Sequence, residues 1–159
     1  MELLSIFEWM EASALGSIGK TYGGVYAIGQ SLHLMSLTVL GGAVLVTDMR
    51  LLNVILRDVP SEVVEQNAHR WFRYAVLTIV LTGIFMAAAV ALRMYYNQFF
   101  WAKMVSLSIG VLFVFCVKHP LLASRPHAEI NPWVIRMLAC ASITVWFTVA
   151  ATGRWIGFS

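Results

Sequence analysis

Charge is what this chain has least of. Only 12% of its 159 residues are Asp, Glu, Lys or Arg, about half the usual share in soluble proteins. From Thr21 to Thr47 there is no formal charge at all. Cysteine is nearly absent as well. The two that occur, Cys116 and Cys140, lie in apolar runs, which excludes a disulfide framework and reads as buried thiols. A basic leader is missing: the first twenty residues hold Glu2, Glu8 and Glu11 and no positive start, so a cleavable signal peptide is not expected. There is no phosphate-binding loop, no GxSxG, no HExxH and no pair of carboxylates within an apolar run. The net charge of +3 is too small to mark a nucleic-acid-binding surface.

What remains is hydrophobic. Sixty per cent of the residues are apolar, and a spanning helix needs roughly 20 of them in a row. Four long, largely apolar stretches predict spans at about 22–47, 71–92, 99–117 and 133–156. Residues 1–19 alternate apolar and acidic, which predicts an amphipathic helix on the membrane surface. The second helix is expected to begin near Pro60, run through His69 and enter the bilayer. Lys118-His119-Pro120 ends the third. Short links make the whole an all-α, up-down four-helix bundle, one membrane domain over 1–159.

Basic residues orient it. Arg50, Arg57, Arg70, Arg73, Lys118, Arg125 and Arg136 fall on one side, against Lys20, Arg93, Lys103 and Arg154 on the other. The excess places the first side in the cytoplasm and both termini outside, as in a multi-pass protein of a bacterial inner membrane.

Ionisable groups at membrane depth mark function. His33 sits near the middle of the first span, about 5 Å to the exterior side of its midplane at the usual helical rise. Helical spacing predicts a stripe of Tyr26, Gln30, His33, Leu37 and Gly41. Arg93, Lys103 and Arg154 approach the same exterior half, with Met86 and Met104. An imidazole, soft sulfurs and cations form a set that b-type haem would use, the histidine on iron and the cations on the propionates. The bland alternative is a histidine bonded to its neighbour helix and cations reaching for water. His69, His119 and His127 lie towards the other side. Antiparallel topology brings His69 and His119 to similar depth, so a second, bis-histidine haem site competes there with plain interfacial histidines. Cys116, His119 and Cys140 form a weaker soft-metal set suited to copper(I). Asp48, at the end of the first span, is expected to pair with another helix.

With those residues set out, a likeness follows. Ser31-Leu32-His33, Gly41-Gly42 and Arg50-Leu51 resemble the first helix of the HemJ-type protoporphyrinogen oxidases and related CopD-like small membrane proteins. Phe100-Trp101-Ala102-Lys103-Met104 resembles the opening of their third helix, and His119 falls where relatives often carry a histidine. The resemblance implies haem b on His33 and a supporting role for Lys103. The amphipathic start and the long 50–73 link depart from that pattern, so the resemblance carries the haem further than the oxidase reaction. Three readings follow: haem-based electron transfer with quinone or a partner redox protein, an accessory subunit of a larger membrane complex, and copper handling through Met35, Met86, Met104, Cys116 and Cys140. The lipid bilayer is the one partner common to all three.

Overall fold

The computed structural model describes residues 2–158. Among them the chain is helical, without strands, and four of its helices are long and apolar enough to cross a membrane. The protein is a multi-pass, all-α membrane protein. Helix α1 covers Glu2–Ala12, α2 Ala14–Thr21, α3 Gly23–Leu51, α4 Ser61–Ala89, α5 Ala91–Tyr95 and α6 Gln98–Leu112. The third span continues from α6 through a π-helical stretch, Phe113–Lys118, into α7, His119–Ala123. Helix α8, Pro132–Trp155, completes the bundle.

The boundaries follow local chemistry. Asn97 caps α6 by accepting the Phe99 and Phe100 N–H groups, and Asn131 caps α8 by accepting that of Trp133. Pro60 and Pro132 sit where a helix begins, with no N–H to lose. The single amphipathic helix expected over 1–19 is two helices. Ser13 turns back to the Met10 carbonyl and caps α2 at Gly16, so the chain bends there. This pair does not lie apart from the bundle. Gly16 and Gly19 let α2 approach Ala88 and Ala89 of α4 so closely that an added Cβ would fall 2.9 Å or less from them.

In the bundle α3 packs along α4, α6 along α8, and α3 against α8 joins the two pairs. One apolar layer fills the middle: Leu40, Val44, Phe72, Ala75, Ile79, Val114, Trp146 and Val149. A smaller one, Leu51, Leu122, Ile130 and Ala139, closes the end that carries Arg50, Arg57, Arg70 and Arg73. Other large apolar side chains, such as Leu34, Leu77, Ile109 and Phe147, face outward, as lipid-facing positions do in a spanning bundle.

That inversion corrects one expectation. Cys116 and Cys140 are exposed, on the outer faces of their helices. In a span, an apolar run does not imply an interior position, because the outside is apolar too. The expected α3 stripe is also mixed: His33 is buried, but Gln30 is exposed, and the inward face runs instead through Gly29, His33, Leu40, Val44, Thr47 and Asp48.

Candidate functional site

Two polar sites flank the middle apolar layer. The first is built on α3 and α4 towards the end where the termini lie. His33 Nδ1 stands 2.9 Å from Thr82 Oγ1. Thr82 already donates its only hydroxyl proton to the Thr78 carbonyl at 2.6 Å. The bond therefore runs from His33 Nδ1–H to Thr82, and the Ile79 backbone also meets the ring. Gly83 lies against the same ring, where an added Cβ would sit 3.5 Å from it.

The cations at this end behave differently from one another. Lys103, half-buried on α6, lies along Gly153 of α8. Among the described residues its ammonium makes no hydrogen bond or ion pair. The Arg154 guanidinium stacks on Phe158 at 4.8 Å, and Arg93 is exposed on α5. Of the three, Lys103 is the one whose side chain packs into the bundle, against α8.

The second site lies at the arginine-rich end, between the two apolar layers. It draws on all four spans. Asp48 of α3 is fully buried and pairs with Lys118, whose ammonium also donates to Ser142 Oγ of α8 at 3.3 Å. This is the inter-helix pair expected of Asp48. Beside it, Glu65 Oε1 of α4 accepts from His119 Nδ1 at 2.7 Å. One turn along α4 from Glu65, the His69 ring stacks on that of His119, with centroids 3.7 Å apart and planes 5° from parallel. Thr47, Glu65, His69, Lys118 and His119 line a cavity of about 20 Å³, room for one water-sized occupant.

The π-helical stretch makes this arrangement possible. It ends at Lys118, and the extra residue in its turn aims Lys118 at Asp48 while His119 faces Glu65. Such stretches recur at functional sites. Nothing in the residue pattern announced it, and Glu65 and Lys118 were missed as site residues. The available signal was the four-residue spacing of Glu65 and His69.

Three sequence expectations meet this geometry. His69 and His119 do come together. They do not fit a bis-histidine haem: axial imidazoles must meet end-on across an iron plane, whereas these lie face to face beside a one-water cavity. The copper set is not assembled. Cys116 and Cys140 face outward, and the one cluster of three potential ligands among the described residues is Glu65, His69 and His119. His127 is no wet turn residue. It is buried, bonded to Ser61 Oγ at 2.7 Å, and its N–H caps onto Glu62 at 2.9 Å.

No curated protein and no solved structure matches the chain. A family of unknown function, DUF6644, matches residues 6–159, and the chain belongs to that family.

Proposed function

We propose that this protein is an integral membrane electron-transfer protein that binds b-type haem with His33 as an axial ligand. The observation that carries the reading is His33, a buried imidazole in the middle of a span whose ring is held by Thr82 of the neighbouring span. A proton or metal ion crossing the bundle would need polar groups through the middle apolar layer, and of Leu40, Phe72, Ile79 and Trp146 only Trp146 has one, an indole N–H that neither accepts a proton nor ligates a cation. Electrons need no such path.

The His33 residues fit one side of a haem. Its ring orientation is pinned by Thr82, and with the proton on Nδ1 the other ring nitrogen, Nε2, would be the one to ligate iron. Haem bound there would supply one-electron chemistry between ferric and ferrous iron. Lys103 would hold a propionate by charge, with Arg93 and Arg154 at the same end of the bundle. Quinone or a partner redox protein would exchange the electron.

An absorption spectrum of the purified protein, oxidised and then reduced with dithionite, tests this directly. The expected result is a Soret band with a sharp α band on reduction, both lost in His33→Ala and weakened in Lys103→Ala. A colourless protein that gains nothing from added haem would sink the reading and favour an accessory subunit. A His33→Ala protein that keeps its haem would sink the ligand assignment.

A further inference from the structure

The second site has a different chemistry. We infer that Glu65, His69 and His119 form a binding site for one divalent first-row transition-metal ion, held by two imidazole nitrogens and a carboxylate oxygen with a coordination position left open. One potential ligand atom from each residue lies within 4.8 Å of the others. Ligands around a metal at about 2.1 Å stand closer than that, so a rotamer adjustment within the existing cavity closes the set.

The surroundings suit a cation. The cavity of about 20 Å³ admits a single ion or water and no macrocycle. Lys118, the nearest ammonium, is already committed to Asp48. Glu65 and His119 are already joined by a hydrogen bond of 2.7 Å, so a metal ion bound through those two atoms would take the place of that bond. Nitrogen and oxygen donors without thiolate favour zinc or iron(II) over copper(I). Three protein ligands leave room for water or a substrate atom, as catalytic sites do and closed structural sites do not. The ligands also come from two different spans, α4 and the α6–α7 helix, so binding would clasp them.

The site stands apart from the haem reading, and the test keeps the two separate. Full-length protein in detergent is stripped with a chelator and titrated with zinc and with cobalt(II). One ion per chain is expected. Glu65→Gln, His69→Gln and His119→Gln should each weaken binding by about tenfold or more. His33→Ala and the Cys116→Ser/Cys140→Ser pair should leave it unchanged. X-ray absorption of the zinc-loaded wild type needs no variant to fold. Imidazole and oxygen scattering supports the assignment, and sulfur scattering overturns it. Failure to bind a stoichiometric ion, or binding indifferent to all three glutamine variants, also overturns it. A coloured protein without such a site would leave haem standing alone, and a colourless zinc protein would do the reverse.

Discussion

Lys118 and His119 are neighbours in sequence and serve separate networks. The division matters because Lys118 is one half of a charge pair with almost no solvent: its side chain is 7% exposed and that of Asp48 is 0%. Such a pair returns little net stability for its desolvation, yet removing one partner strands the other. Lys118→Ala should therefore cost about 3–5 kcal/mol. Asp48→Leu combined with Lys118→Met should recover most of it, since an apolar pair of similar volume leaves no buried charge. Thermal unfolding in one detergent, with the single and double variants side by side, reads the difference. If Lys118→Ala shifts stability by under about 1 kcal/mol, the pair is not ionised and the electrostatic account of this layer fails. His33 illustrates the opposite case. Its ring is held by a neutral partner, Thr82 of the neighbouring span, so removing that partner strands no charge.

At the scale of elements, the docked amino-terminal pair is the part that pH should release. The Glu11 carboxylate accepts the Leu92 N–H at 2.6 Å, just past the break at Val90 between α4 and α5, and takes an ammonium hydrogen from Lys20 at 2.6 Å. The Leu92 bond first, and Lys20 second, hold this carboxyl below its ordinary range. A depressed native value means that the docking contribution is complete above the ordinary carboxylate pKa, about 4.3. It is lost as pH falls through the lower, native value. Spin labels on α1 and α5 should separate in acid and stay together at neutral pH. In Glu11→Gln the distance should no longer depend on pH. An unchanged wild-type distance down to full carboxylate protonation would show that the Phe7 contacts with Tyr95, Phe100 and Trp101 hold the pair without Glu11.

Elements are also where the sequence was most and least legible. Four apolar runs correspond to four helices long and apolar enough to span, because a long run with so few charges has few other fates. The first turns of α4 were harder. The expected start near Pro60 is met, since the helix begins at Ser61, but nothing in the polar stretch from Glu62 to Arg70 showed that it carries Glu65 into the interior before the apolar run opens. Charge density set the expected edge of the bilayer and hid a buried acid. The kink at Ser13 and the π-helical turn before His119 leave no periodic trace that a single sequence exposes. The cysteines failed for another reason: hydropathy cannot tell a lipid-facing position from a core position.

For the molecule as a whole, orientation decides which compartment each polar site serves. The structure changes the charge arithmetic. Lys118 is sequestered by Asp48 and Lys103 is half-buried, so neither counts as a loop charge. What remains is Arg50, Arg57, Arg70, Arg73, Arg125 and Arg136 at one end against Lys20, Arg93 and Arg154 at the other, a bias that survives the correction. It predicts that the Glu65–His69–His119 site opens to the cytoplasm and His33 to the far side. Reporter fusions active only in one compartment check this, placed after Ser159 and, separately, in the 52–60 loop. The carboxyl-terminal fusion should report the exterior and the loop fusion the cytoplasm. Converting Arg70, Arg73, Arg125 and Arg136 to glutamine should weaken that preference, because α4 and α8 would enter the membrane without the flanking charges that hold them. A carboxyl terminus found in the cytoplasm in the unaltered protein would exchange the two sites: the proposed haem ligand would then face the cytoplasm and the proposed metal site the exterior, where metal supply and electron partners both differ.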